Sequence, residues 1–182
     1  MSESGIIQNI FFPARRKSKA SSGAKEKRKE EAILVERICA GDQGAFDELY
    51  KKLSPMVHGI LLARLPRDEV DDIVQEVFIS VYEKLNTLRD KNAVCPWVAR
   101  IARNRAVEFY RRNKPTEELS ENIESRGNAQ NEAQEILDAI REMPDSYRET
   151  LTLRLVEGMT GPEIADQTGL KHESVRVNLH RG

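Results

Sequence analysis

The strongest constraint on the fold is a run of apolar residues between Asp68 and Leu88. Val70, Ile73, Val74, Val77, Phe78, Val81, Leu85 and Leu88 recur at steps of three and four, which lines one face of a long helix. Asp72, Gln75, Glu76 and Glu83 then fall on the opposite face. Pro66-Arg67-Asp68 breaks the pattern upstream, so Asp68 is expected as the N-cap with Asp71 as a first-turn carboxylate. A second helix is expected from about Val94, with Trp97, Val98, Ile101 and Ala102 on one side and Arg100, Arg103 and Arg111 on another. Two such stripes need further helices to cover them, and the rest of the chain supplies the same period.

Glu31 to Ala40 reads as a helix stopped by Gly41, and Asp42 caps a second through Ala45, Phe46, Leu49, Tyr50 and Leu53. Ser54-Pro55 has the look of a fresh start, with Ser at N-cap and Pro at N1, followed by Met56, Val57, Ile60, Leu61 and Leu65. Beyond Asn113-Lys114-Pro115, residues 115–130 are polar and acidic without a sustained period, which marks a linker. Ala133, Ile136, Leu137, Ile140 and Met143 mark a helix ended by Pro144, and Tyr147, Leu151 and Leu155 another closed by Gly158. Thr160-x-x-Glu163 is a capping box for a short helix through Gln167. Gly169 makes a turn, and a last helix begins at about His172. The expected fold is all-α: two small helical domains, 31–114 and 131–182, joined by a flexible acidic linker over 115–130. Residues 1–30, rich in Lys, Ser and Gly, have the composition of a disordered basic tail.

Lys and Arg total 29 against 30 Asp and Glu, so the net charge is uninformative and its placement is not. Arg15, Arg16, Lys17, Lys19, Lys25, Lys27, Arg28 and Lys29 crowd the start. Arg89, Lys91, Arg100, Arg103, Arg105, Arg111, Arg112 and Lys114 form a second basic segment, and Glu117, Glu118, Glu121 and Glu124 follow it. The two cysteines, Cys39 and Cys95, stand in no C-x-x-C or Cys/His pattern, which argues against a disulfide framework or zinc site and for a reducing cytoplasm. No apolar run has the length of a membrane span. Ile6, Ile7, Ile10, Phe11 and Phe12 precede the basic cluster, the reverse of a signal peptide. No metal or cofactor is expected, and His58 has no neighbouring ligand in sequence.

Thr160 to Arg181 has the layout of a helix-turn-helix. With Ile164, Ala165, Leu170, Val175 and Leu179 inward, the last helix turns Lys171, His172, Ser174, Arg176, Asn178 and Arg181 outward, side chains able to reach base edges or phosphates in a major groove. An ordinary helical hairpin with a solvated face shows the same pattern. On the helix after Val94, Trp97 and Tyr110 interleave with arginines, the combination that stacks on unpaired bases and holds phosphates; Trp97 also suits a core. Asp71, Asp72, Gln75 and Glu76 share a helix face without a His, a metal cluster or a phosphate loop, so a docking surface fits them better than a catalytic carboxylate pair.

Together Asp72-x-Val74-Gln75-Glu76-x-Phe78, Trp97-x-x-x-Ile101-Ala102-x-Asn104 and Arg111-Arg112 resemble the second region of bacterial RNA polymerase sigma factors. Gly41 to Tyr50 looks like the opening of that domain, and Met143 to Glu149 with Leu151 and Leu153 is similar to the fourth region. The compact two-domain form resembles the extracytoplasmic-function type over roughly Glu31 to Gly182. Lys171 departs from the usual Ser or Thr cap, Glu108 replaces an Asp, and the chain ends at Gly182 where relatives carry another basic turn. The resemblance implies a factor with no chemistry of its own that directs RNA polymerase to promoters and promotes melting. It assigns Asp71, Asp72, Gln75 and Glu76 to the clamp helices of the largest polymerase subunit. It assigns Arg89, Lys91, Asn92, Trp97, Arg100, Arg103, Asn104, Tyr110, Arg111 and Arg112 to the −10 element, the loop 89–95 resembling one that captures a flipped base. Lys171, His172, Ser174, Arg176, Asn178 and Arg181 fall to the −35 element. The flap of the second subunit and an anti-sigma factor are further implied partners. A stand-alone helix-turn-helix regulator is the alternative; it has no use for the Asp72-to-Phe78 motif.

Overall fold

A computed structural model describes residues 20–113 and 136–182, and among them every regular element is helical. The first unit comprises α1 (Ala20–Cys39), α2 (Gln43–Leu62), α3 (Arg67–Lys84) and α4 (Val94–Arg112). The second comprises a helical segment over 136–142, then α5 (Asp145–Leu155), α6 (Gly161–Thr168) and α7 (His172–Arg181). The whole of the expected linker, 115–130, and Ala133 lie outside the described residues, as does the apolar and basic start of the chain through residue 19.

Helix α1 corrects the expected tail, which composition extended to residue 30: it is helical from Ala20. Ala, Lys and Glu have high helix propensity, and tertiary contacts add to it. Lys52 Nζ donates to Glu30 Oε2 at 2.7 Å, and Arg28 Nη2 reaches Asp166 Oδ1 of the second unit at 2.7 Å. Gly41, at φ +95°, makes the turn that an L side chain resists. Asp42 then caps α2, its Oδ1 accepting the Ala45 N–H at 3.2 Å.

The fresh start expected at Ser54-Pro55 does not occur, because α2 runs through Pro55 unbroken. An interior proline forfeits a hydrogen bond at a cost of ~3 kcal/mol. Leu49, Leu53, Met56, Val57 and Ile60, all on one continuous stripe, are fully buried, and each contributes about 1.5–3 kcal/mol. The stripe outweighs the break. Asp68 is likewise not a cap: α3 starts at Arg67 behind Pro66, with Asp68 and Glu69 in its first turn. The helix ends at Lys84, so that Leu85 and Leu88 sit in and after a short 3-10 turn, Leu85–Thr87.

The second unit is built by local chemistry. Thr160 and Glu163 form the reciprocal capping box, Thr160 N–H donating to Glu163 Oε2 at 2.9 Å and Glu163 N–H to Thr160 Oγ1 at 3.4 Å. Gly169 closes α6 in the left-handed region at φ +75°. Helix α7 starts at His172 with Lys171 at the cap position and no side-chain capping bond.

The two units pack together, and their cores are continuous. Gly59 is the close approach: a Cβ there would stand 2.7 Å from Leu153 Cδ2. Helix α5 lies in the space that the missing side chain leaves on α2.

Candidate nucleic-acid interface

Three groups of predicted residues emerge on different faces. On α3, the stripe Val70, Ile73, Val74, Val77, Phe78 and Val81 is buried, which turns Asp71, Asp72 and Gln75 to solvent. Glu76 is half-buried and faces α4, with Arg112 at 3.7 Å and Arg105 at 3.8 Å. Ile79 and Tyr82, 59% and 56% exposed, extend the same face. Sequence reasoning missed both, since an apolar residue outside the stripe carries no signal of its own.

The second group surrounds α4. Asp90 Oδ1 accepts the Asn92 backbone N–H at 3.0 Å and its Nδ2 at 3.2 Å, which shapes the turn Lys91–Ala93. Lys91 Nζ lies 3.5 Å from Glu36. Arg89, Arg100, Asn104, Arg111 and Arg112 are exposed. Trp97 is half-buried against the core, which is the packing role its sequence position allowed. Tyr110 exposes its ring and donates its hydroxyl to the Arg64 carbonyl at 2.6 Å.

Arg103 departs from the open basic face. Its Nη2 and Nε donate to Glu149 Oε1 and Oε2 at 2.6 and 3.0 Å, and Nη2 also to the Thr168 carbonyl at 3.1 Å. Arg64 Nη2 reaches the same carboxylate at 2.7 Å. Glu149 is only 4% exposed. Burial pushes its pKa up, but the Arg103 hydrogen bonds and the charges of Arg64 and Arg103 more than offset this and hold it below the ordinary value. His58 Nδ1 stands 2.8 Å from Glu157 Oε1 nearby. Its pKa is raised, by that hydrogen bond first, against a smaller opposing effect of burial.

The third group lies on α7. Lys171, His172, Ser174, Arg176 and Arg181 are exposed while Val175 is buried. Asn178 is a correction to the expected outward row. It is half-buried and donates from Nδ2 to Thr150 Oγ1 on α5 at 3.1 Å, because the contact between α5 and α7 reaches further round the helix than the Val175–Leu179 stripe implies. His172 Nε2 lies 3.7 Å from Asp166. Arg176 and Arg181 border an open, mostly apolar groove of about 710 Å³ with Val175, Val177 and Leu179.

Both cysteines are free, Cys39 exposed and Cys95 buried. Among the described residues, no group of three or more His, Cys, Asp or Glu is placed to hold a metal ion, and no helix is long and apolar enough to cross a membrane.

A capped helix-turn-helix, carried on one chain with an arginine- and aromatic-bearing helix and a solvent-facing carboxylate surface, defines a DNA-binding factor that works with a protein partner. The family model Sigma-70 region 2 matches residues 49–116, and Sigma-70, region 4 matches residues 133–182. The ECF RNA polymerase sigma-E factor of Escherichia coli (strain K12) is 32% identical over 168 residues, 82% of this chain and 88% of that protein. The ECF RNA polymerase sigma-E factor of Haemophilus influenzae is 29% identical over 167 residues, 81% of this chain and 88% of that protein. The fold is shared with CnrH, solved in complex with the cytosolic domain of CnrY, at a TM-score of 0.61 and 24% identity, covering 84% of this chain and 91% of that one. The chain belongs to the extracytoplasmic-function RNA polymerase sigma factors. It directs RNA polymerase to specific promoters, with core polymerase and promoter DNA as its partners. A stand-alone helix-turn-helix regulator is not favoured, since that class accounts for the second unit alone.

Proposed function

We propose that the two units divide the work of initiation between three surfaces. The exposed carboxylate face of α3, Asp71, Asp72 and Gln75 with Ile79 and Tyr82 beside it, docks on the clamp helices of the largest polymerase subunit. Carboxylates there set orientation against arginines of the partner, while the two apolar side chains contribute buried area. Glu76 orders Arg105 and Arg112 on α4 and supports the docking face from behind.

Helix α4 and the loop before it take the −10 element. Arg100, Asn104, Arg111 and Arg112 hold phosphates, and Trp97 and Tyr110 offer ring faces for stacking at the upstream end of the bubble. Arg89, Lys91 and Asn92 receive the displaced base. Helix α7 enters the major groove of the −35 element, with Lys171, His172, Ser174 and Arg176 toward base edges and Arg181 toward phosphate. The factor has no chemistry of its own and acts in the cytoplasm. An anti-sigma factor regulates it, a reading supported by the complex that CnrH forms with the cytosolic domain of CnrY.

The observation that carries this reading is the sorting of charge by face. Asp71 and Asp72 stand exposed on one face of α3, arginines predominate on the exposed sides of α4 and α7, and apolar stripes lie behind all three. Core polymerase and a template carrying −10 and −35 elements test it directly. The Asp71→Arg, Asp72→Arg double variant is expected to keep its helicity by circular dichroism yet lose core affinity by more than about tenfold, because juxtaposed like charges cost several kcal/mol. Co-elution with core and run-off transcription at wild-type levels would overturn the docking assignment.

A further inference from the structure

We infer that Glu149 is an intramolecular latch: it holds the two units closed by occupying Arg103, and so competes with the −10 strand for that arginine. The inference rests on the reading of α4 as the −10 surface and adds a regulatory contact to it.

The contact is built on both sides. The Glu149 carboxylate, nearly fully buried, accepts from Arg103 at 2.6 and 3.0 Å and pairs with Arg64 at 2.7 Å. Arg103 makes a further bond to the Thr168 carbonyl, so one guanidinium ties α4 to both α5 and the end of α6. Around it, Arg141 Nη2 donates to the Leu65 carbonyl at 3.1 Å, His58 meets Glu157, and Arg28 meets Asp166. Gly59 and Gly169 let the backbones close in: a Cβ on Gly59 would meet Leu153 at 2.7 Å, and one on Gly169 would meet Pro96 at 3.0 Å.

Geometry makes closure and promoter engagement exclusive. DNA elements centred near −35 and −10 lie about 25 base pairs apart, or about 85 Å along B-form DNA at 3.4 Å per pair. Two units in van der Waals contact cannot reach both. Energetics make the exchange reversible. A buried ion pair roughly breaks even against the hydration its members regain on separation, so the closed state is held by a modest margin that polymerase and DNA can exceed. The −10 strand offers Arg103 phosphates in place of a carboxylate.

The test uses the full-length chain. Glu149→Gln keeps shape and removes charge. Gly59→Leu acts from the other side, adding a good helix former whose side chain has room only when α5 has left. Small-angle scattering reports separation of the units, circular dichroism confirms folding, and binding of a fluorescent single-stranded −10 oligonucleotide reports competition. Both variants are expected to expand and to bind the oligonucleotide at least about fivefold more tightly, the lower end of typical coupling between linked sites. Adding Arg103→Ala to Glu149→Gln should keep the expansion and abolish the gain. The latch is overturned if both variants scatter like wild type, or if they expand while a measurable wild-type affinity for the strand stays unchanged. A chain that expands on substitution but binds no strand in any form sinks the −10 reading and the competition with it, leaving only a structural clasp.

Discussion

Glu31 and Glu149 are buried to nearly the same degree, 2% and 4% exposed, and their pKa values move in opposite directions. Glu149 sits between two guanidinium groups, which hold it ionised. Glu31 has the Cys95 thiol at 2.9 Å on one oxygen, while its other oxygen is buried without a hydrogen-bond partner. Burial raises its pKa, and the Cys95 hydrogen bond with the more distant charges of Lys27 and Lys52 offsets only part of this. The same site pushes the Cys95 thiol up, by burial first and then by the Glu31 charge, so the thiol is a poor nucleophile. A carboxyl with a raised folded pKa binds more protons folded than unfolded, so its contribution to stability is present at acid pH and is lost as pH rises through that pKa. Glu31→Gln is therefore expected to match wild type in urea midpoint at about pH 4 and to exceed it at pH 8, where wild type bears the buried charge. An offset that stays constant with pH would mean that Glu31 is already neutral throughout. Neither carboxylate was legible in the sequence, because their partners stand 64 and 46 residues away.

Elements were legible where their signals are local. The capping box at Thr160 and Glu163, the left-handed Gly169 and the Asp42 cap depend on neighbours within a turn, and each appears as its residues imply. Readings failed where packing overruled the local signal. Pro55 gave a good helix start in isolation, but the buried stripe on both sides of it carries α2 straight through. Asn178 has outward polarity, but α5 offers it the Thr150 hydroxyl. On the proposed −35 reading, that correction narrows the face of α7 available to DNA and leaves Arg176, exposed beside the buried Val175, as the side chain proposed for base contact. Arg176→Ala should cost about 1–3 kcal/mol of −35 affinity and relax preference at one position, whereas a lost phosphate contact weakens all sequences alike. Selection of bound −35 sequences by wild type and variant separates these outcomes. Equal loss on every sequence would reassign Arg176 to the backbone.

At the scale of the whole molecule, the sequence carried the two-unit plan and no hint of how the units meet. The residues that join them, Gly59, Arg64, Arg103, Glu149, His58 and Glu157, belong to unremarkable helix positions and gain meaning only from the fold. Of these, the His58–Glu157 pair makes closure sensitive to pH near neutrality. Glu157 raises the His58 pKa directly, Asp71 on α3 adds to it, and partial burial and Arg67 oppose. In the open form His58 loses Glu157 and reverts toward its ordinary value of about 6.5. A raised value in the closed form means that closure binds a proton; the pair's contribution is complete below about pH 6.5 and fades as pH climbs through the closed-form value. Glu149, held below the ordinary carboxylate range, stays ionised across that window and contributes no slope. With the His58 side chain 38% exposed, solvent screening keeps the effect modest. Scattering measured from pH 6 to 9 should thus show the wild-type radius of gyration growing with pH. The His58→Gln variant, unable to take the proton, should start more open and change less. An identical pH response in the two proteins would place the titrating group elsewhere.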